Sequence, residues 1–300
     1  MKIVITGAWK HTDEERAVIE SLGHEVVLMP DERGKLPCPP EEIEGVICNG
    51  LFLFHSIDDF KNLRYIQLTS AGYDRVPMDE IAKRGIKIFN ARGVYSIPMA
   101  EFALCGVLQL YKQSNFFAAN QRNSVWEKHR NILEIYGKNV LVVGCGSVGD
   151  ECAKRFAALG TSVRGVDLYP REDTLYERIS PLESLGDEFS LADIIVLTLP
   201  LTEKTNHLID GAMLSRAKNN SILVNIARGA IVDTAALIKS LDSQRIGGAV
   251  LDVFEEEPLN VNSPLWKMNN VIITPHNSFV GDGNGERLFK VIYNNLSDVN

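Results

Sequence analysis

Lys138-Asn139-Val140-Leu141-Val142-Val143-Gly144-Cys145-Gly146-Ser147-Val148-Gly149 is the stretch that decides the fold. Its first half is apolar on successive positions, the pattern of a strand covered on both faces. Its second half reads G-x-G-x-x-G, and Val148, Cys152, Phe156 and Leu159 then fall at helical spacing. A second strand-like run, Ser162–Val166, ends in Asp167, 18 residues past Gly149. Strand, glycine loop, helix, strand and terminal acid, in that order, make a dinucleotide-binding fingerprint. Gly144 permits the tight turn, Gly146 lets a pyrophosphate approach the backbone, and Gly149 lets the helix pack on the strand. Ser147 and Val148 open that helix, whose free N–H groups and partial positive charge suit phosphate. An acid such as Asp167 accepts from ribose hydroxyls and repels a 2′-phosphate, which points to NAD rather than NADP. Arg171 stands close enough in sequence to serve a 2′-phosphate, and the reading preferred for it is a solvated loop charge.

The same alternation of strand and helix runs through most of the chain. Short β-branched runs occupy Ile3–Thr6, Val26–Met29, Val46–Cys48, Tyr65–Thr69, Ile86–Phe89, Val140–Val143, Val163–Val166, Ile194–Leu199, Ile222–Ile226, Ala249–Val253 and Val271–Thr274. Helical patterns between them predict doubly wound parallel sheets. Thr12-Asp13-Glu14-Glu15 has the form of a capping box, with Gly23 as a left-handed stop. Asp233 is placed to cap a helix through Leu241. From Met99 to Phe117 the apolar residues crowd several faces, which predicts one long helix buried between two α/β bodies and joining them.

Composition sets the outer bounds. A chain of 300 residues with 45% apolar and 23% charged residues suits about two folded domains, at roughly 150 residues each. With 31 Lys+Arg against 39 Asp+Glu, the net charge is −8, which argues against nucleic acid or an anionic membrane as partner. Five Cys without any C-x-x-C pair argue against a disulfide framework or a metal site, and fit reduced, mostly buried thiols of a cytoplasmic protein. The apolar run at the N-terminus is too short for a signal peptide, and no stretch approaches a membrane span.

Three polar segments follow late strand-like runs: Asn225-Ile226-Ala227-Arg228-Gly229, Asp252-Val253-Phe254-Glu255-Glu256-Glu257-Pro258-Leu259 and Thr274-Pro275-His276-Asn277. In a parallel sheet, residues just past the strand ends line the ligand crevice. Arg228 is a bidentate partner for a carboxylate and can polarise a carbonyl oxygen. His276 can give or take a proton near neutrality, and a neighbouring carboxylate would orient it. Glu255, Glu256 and Glu257 all compete for that neighbouring place.

In the order and spacing of these motifs the chain resembles the D-isomer-specific 2-hydroxyacid dehydrogenase family. The matching stretches are Ser70-Ala71-Gly72-Tyr73-Asp74, Gly93–Glu101, the glycine loop, Leu199-Pro200-Leu201-Thr202, Asn225–Asp233, Gly248–Leu259, Ser263-Pro264-Leu265-Trp266 and Asn270–His276. The first sixty or so residues match only in general pattern. The resemblance implies a Rossmann-like nucleotide-binding domain, residues 98–280, inserted in a flavodoxin-like substrate domain, residues 1–97 plus 281–300. It implies an active site in the cleft between them and hydride transfer between NAD and a small 2-keto or (R)-2-hydroxy acid. Arg228 would bind the substrate carboxylate and reacting oxygen, and His276 would be the general acid/base. The acid just before the Pro, Glu257, would pair with that histidine. Asp252 would sit near the nicotinamide carboxamide, with Leu199, Pro200, Thr205, Ala227 and His276 among the cofactor contacts. The N–H groups of Ala71 and Gly72 would hold the substrate carboxylate, and a homodimer is implied.

Other residues keep two readings. Leu51 and Phe52, in Asn49-Gly50-Leu51-Phe52-Leu53-Phe54-His55, either line the substrate pocket or pack beneath the loop. As a lining they bring no Arg or Lys, which favours a small or apolar 2-keto acid over a phosphorylated one, while Arg92 offers a possible partner for a second anion. Tyr95 either reaches the site or packs at the hinge. Glu255 and Glu256 read as solvated acids, His207 as a surface or packing residue, and Trp126 and Trp266 as packing aromatics. An NAD(H)-sensing corepressor on the same scaffold is the alternative function, and formate oxidation ranks below it. The family's members often continue for a short tail beyond the point where this sequence stops, Asn294–Asn300. The helix from about Gly285 is expected to return to the first domain.

Overall fold

The computed structural model describes residues 1–299, so Asn300, part of the expected substrate domain, lies outside the described residues. The chain forms two compact units, Met1–Tyr95 together with the chain from Gly281 onward, and Ser96–Val280. In the first, β1 (Lys2–Thr6), α1 (Asp13–Ser21), β2 (Glu25–Met29), β3 (Gly45–Cys48), β4 (Tyr65–Leu68), α2 (Met78–Lys83) and β5 (Lys87–Phe89) follow one another. The sheet order is β2-β1-β3-β4-β5, every pair parallel, which is the flavodoxin-like winding. The capping box of α1 is present: Glu15 N–H donates to Thr12 Oγ1 at 3.1 Å and Thr12 N–H to Glu15 Oε2 at 2.8 Å. Gly23 ends the turn at φ 85°, as its left-handed role requires. The last helix, Asn284–Ser297, packs in this same unit. Phe289 stacks on Trp9 with ring centres 6.3 Å apart, and Asn295 Nδ2 donates to Gln67 Oε1 at 2.8 Å.

The second unit contains α3 (Ser96–Tyr111), α4 (Ser114–Arg122), β6 (Asn139–Val143), α5 (Ser147–Ala158), β7 (Ser162–Asp167), β8 (Ile179–Pro181), α6 (Leu185–Leu191), β9 (Ile194–Leu197), α7 (Gly211–Arg216), β10 (Ser221–Asn225), α8 (Thr234–Asp242), β11 (Ile246–Leu251) and β12 (Val271–Ile273). Its parallel sheet runs β12-β11-β10-β9-β6-β7-β8. The winding reverses between β6 and β9, and ligands of such sheets bind beyond the strand C-termini at that reversal. Apolar clusters fill both faces of the sheet, which is why its strands read as continuous apolar runs. Asp233 caps α8, with Ala236 N–H on its Oδ1 at 2.9 Å.

Three local expectations change. The long helix predicted over Met99–Phe117 is two helices, because Gln113 turns left-handed at φ 55°. Burial on α3 is concentrated on one stripe, Ser96, Ala100, Ala103, Val107 and Tyr111, with Pro98 and Gly106 buried outside it. Gly106 lies so close to the sheet that a Cβ there would sit 2.5 Å from Val250 Cγ1. Strand β8 was not expected: it carries a single large apolar residue and Pro181, which an edge strand tolerates. β11 starts at Ile246 rather than Ala249. A Cβ on Gly247 or Gly248 would lie 2.7 Å from a backbone carbonyl oxygen, Asn220 O or Asn270 O. Among the described residues no helix is long and apolar enough to cross a membrane.

Candidate active site

At the reversal point the glycine loop is made almost entirely of backbone. Gly144 has φ 101°, and a Cβ there would lie 2.6 Å from Leu199 N. A Cβ on Gly149 would lie 2.2 Å from Gly144 O, so the first turn of α5 closes directly onto the loop. Around Gly146 the space is open, as a pyrophosphate cradle needs. Asp167, at the end of β7, reaches back so that Oδ2 accepts Cys145 N–H at 2.6 Å and Oδ1 accepts Tyr169 N–H at 2.9 Å. Two acceptor directions per oxygen leave room for ribose hydroxyls. These features fit a dinucleotide. Ser147 and Val148 open α5 as expected.

Arg171 is more than a solvated charge. It donates to the Cys145 carbonyl, to Asp150 Oδ1 at 2.6 Å and to Asp173 Oδ2 at 3.0 Å, and so fastens the loop to α5. Burial pushes the Cys145 and Cys152 thiols up to about 12, which leaves them as packing groups. Beyond β9, Leu199 is buried, Pro200 is exposed, and the Thr205 hydroxyl is a turn staple, accepting Thr202 N–H at 2.7 Å and donating to Pro200 O at 2.7 Å.

The ends of β10, β11 and β12 carry the ionisable side chains. His276 Nδ1 and Glu257 Oε2 are 2.9 Å apart, and Glu257 Oε1 accepts Phe254 N–H at 3.0 Å. Of the three competing acids, Glu257 is the one on the histidine. His276 adopts φ 52°, a conformation a non-glycine residue takes only when its surroundings impose it. Asp252 imposes it. Its carboxylate is fully buried and accepts Thr274 Oγ1 at 2.7 Å, Asn277 N–H at 2.8 Å and Ser278 N–H at 2.9 Å, while its carbonyl accepts His276 N–H at 2.8 Å. The residue expected beside the nicotinamide thus has its carboxylate engaged by the turn that carries His276. Buried Asn225 shapes the Arg228 turn: Nδ2 donates to Arg228 O at 3.0 Å and Oδ1 accepts Ala227 N–H at 3.1 Å. Arg228 Nη1 donates to the Ala227 carbonyl at 2.7 Å.

Two residues read as surface groups are exposed, as expected, yet they contact each other here. Glu255 accepts Thr234 N–H on Oε1 at 2.7 Å and contacts His207 Nε2 through Oε2 at 3.1 Å. Partial burial would raise its carboxyl pKa, but the bonds from Thr234 and His207 outweigh it and hold the group below the ordinary value. No local signal pairs residues 48 apart in sequence, so neither could be picked out from spacing. Glu256 is exposed, as expected. Trp126 does not pack: it is 97% exposed, on the segment after α4. Trp266 is half-exposed, with Nε1 donating to Asn260 O at 3.0 Å.

In the first unit, the turn after β4 is fixed by side chains. Asn90 Nδ2 donates to Ala71 O at 2.6 Å and Ser70 Oγ to Gly72 O at 3.1 Å, which orients the peptide planes at Ala71 and Gly72. Leu51 is fully buried in the core, which is the packing reading. Phe52 is partly buried, edge-on to Phe60 at 5.8 Å. Tyr95 donates its hydroxyl to Thr69 O. Glu32, which no motif in the sequence marks, accepts the N–H groups of Asn49 and Gly50 and the hydroxyl of Thr6 on its carboxylate, each at 2.7 Å.

Comparison with known proteins places these features in a family. The family model described as D-isomer specific 2-hydroxyacid dehydrogenase, NAD binding domain, matches residues 104–278. The (S)-sulfolactate dehydrogenase of Chromohalobacter salexigens is 34% identical over 241 residues, 79% of this chain and 77% of its own length. A glyoxylate reductase of Thermofilum pendens is 36% identical over 228 residues, 73% of this chain and 67% of its own. Among solved structures, a D-isomer specific 2-hydroxyacid dehydrogenase family protein of Aeromonas salmonicida superposes with a TM-score of 0.83 at 26% identity, covering 98% of this chain and 94% of that one.

Proposed function

Since the chain belongs to the D-isomer specific 2-hydroxyacid dehydrogenase family, we propose that it uses NADH to reduce a small or apolar 2-keto acid to the (R)-2-hydroxy acid, reversibly, with Arg228, Glu257 and His276 as its catalytic residues. The observation that carries this reading is the His276–Glu257 contact of 2.9 Å at the end of β12, two strands from the turn that bears Arg228.

When bound, the nicotinamide carries the hydride. The glycine loop Gly144–Gly149, the start of α5 and Asp167 would hold the dinucleotide, with Leu199, Pro200, Thr205, Ala227 and Asp252 shaping its surroundings. Asp167 favours NAD over NADP, and Arg171 is already engaged by Asp150 and Asp173. With Nδ1 on Glu257, His276 presents Nε2 to the reacting oxygen and delivers the proton there. Glu257 keeps the ring oriented through its contact with Nδ1. The Arg228 guanidinium grips the carboxylate and steadies the negative charge that grows on the oxygen.

Glu32 takes the Asn49 and Gly50 amides and sets a carboxylate at the root of that loop, which supports a substrate with one anionic group. The loop's exposed side chains include Leu53 and Phe54, and the cations brought to it from elsewhere are Arg33, over the Phe54 ring at 5.9 Å, and Arg75, beside Gly50. A homodimer is part of the same reading: Phe117, Val125, Trp126 and Tyr136 are exposed on α4 and the segment after it, and self-association would cover them.

The test is a panel of keto acids assayed with NADH and with NADPH. Turnover of pyruvate, glyoxylate or a branched homologue, faster with NADH and poor for phosphorylated acids, is expected. NADH-dependent binding of a partner without turnover of any acid would overturn the reading.

A further inference from the structure

We propose that Glu255 and His207 are positioning residues, fastening the turn that carries Glu257 to the turn that carries Arg228 and thereby holding Glu257 on His276. The inference rests on the catalytic roles given above for those three residues. Three turns leave neighbouring strands β9, β10 and β11, and Glu255 joins all of them. Its Oε1 accepts the N–H of Thr234, the first residue of α8, where a carboxylate also meets the positive end of the helix. Its Oε2 contacts His207 on the turn after β9. His207 is itself fixed, with φ 50° and its N–H on Ala230 O at 2.7 Å, so the turns after β9 and β10 are already tied through the backbone.

Contact between the Arg228 and Glu257 turns is as close as chain allows. A Cβ on Gly229 would lie 1.8 Å from the Phe254 carbonyl carbon and 2.4 Å from Glu255 N. The N–H of that same Phe254 donates to Glu257 Oε1 at 3.0 Å, and Glu257 Oε2 meets His276. A slide of the Phe254–Glu255 peptide along Gly229 therefore carries Glu257 away from the ring. Packing against a glycine resists approach but not sliding, whereas the two oxygens of Glu255, held by separate partners, resist sliding. Glu256, one residue on, is exposed like Glu255 and makes a control of the same charge.

The experiment compares Glu255→Ala, His207→Ala, Glu255→Gln and Glu256→Ala in the full chain. Keto-acid reduction in Glu255→Ala and His207→Ala is expected to lose about tenfold or more in kcat, a displacement of about 1 Å costing up to a hundredfold. The KM for NADH should stay within about twofold, since the glycine loop is untouched. Glu255→Gln, which keeps an acceptor for Thr234 N–H, should recover part of the loss. The double variant Glu255→Ala/His207→Ala should be no worse than the weaker single one, because the two act as one unit. Without NADH, the ring resonances of His276 at fixed pH should move in Glu255→Ala and stay in place in Glu256→Ala. Unchanged kcat in folded Glu255→Ala, an equal loss in Glu256→Ala, or a lowered Tm with normal kcat would overturn the proposal. If Glu255→Ala does not fold, His207→Ala and Glu255→Gln carry the same comparison. Absence of turnover in the unaltered protein would overturn the proposed function, and the His276 resonances would still decide this inference.

Discussion

The β6–β7 end and the β10–β12 end of one sheet solve two recognition problems with different materials. At the first, the determining atoms are backbone: Gly144, Gly146 and Gly149 make room, and α5 offers its N–H groups. At the second, they are side chains held by other side chains: Asp252 on the His276 turn, Asn225 on the Arg228 turn, and Glu257 on His276. A phosphate chain needs many weak donors at close approach, which backbone supplies without net charge. Proton transfer and grip on a carboxylate need groups that change charge or present a fork, which only side chains supply. This division also lets a chain of net charge −8 bind anions.

The contrast breaks most visibly at the histidine. His276→Ala should lower kcat for keto-acid reduction by roughly 10²-fold or more, a general-acid loss, while NADH binding measured by fluorescence titration survives. Near-normal turnover would remove His276 from the proton-transfer role. Gly144→Ala should act the other way round. Its φ of 101° and the 2.6 Å approach to Leu199 N leave no place for a methyl group, so NADH affinity should fall by about tenfold to a hundredfold. The kcat at saturating NADH should change far less, and an equal fall in both quantities would show that the two ends are not separable. The smallest effect belongs to the opposite ends of the central strands, where Asp193, just before β9, accepts Lys218 Nζ at 2.6 Å and Asn139 N–H at 2.9 Å. Partial burial would raise its pKa, but those bonds outweigh it and the carboxyl sits below the usual Asp value. A depressed folded-state pKa stabilises above the unfolded value, near 4, and the contribution is lost as pH falls through the folded one. Asp193→Asn should therefore lower Tm by a few degrees at neutral pH, with the gap to the unaltered protein closing in acid and kcat unchanged. A gap independent of pH would assign the effect to shape rather than charge.

Legibility followed the same line. The glycine loop, the capping box at Thr12–Glu15 and the Asp233 cap could be read directly, because each is set by residues a few positions apart. Glu257 was singled out through the motif that ends in Pro258, not from its chemistry, which Glu255 and Glu256 share. Arg171 and Glu255 read as solvated charge, His207 as a surface or packing residue, and nothing in the sequence points to Glu32, since the deciding partners lie on other elements. The break at Gln113 was missed because apolar crowding over Met99–Phe117 records composition, not which face meets the sheet.

By itself, the sequence determined the parallel α/β architecture, the dinucleotide loop and the residues able to do acid–base chemistry. These follow from periods of two and 3.6 residues and from what glycine permits, which are local properties of a chain. Only the tertiary structure decided that Asp252 holds the His276 turn and that Glu255 ties the Glu257 turn to the start of α8 and to His207. Those choices depend on groups tens of residues apart meeting within hydrogen-bond distance, and sequence spacing carries no record of that approach.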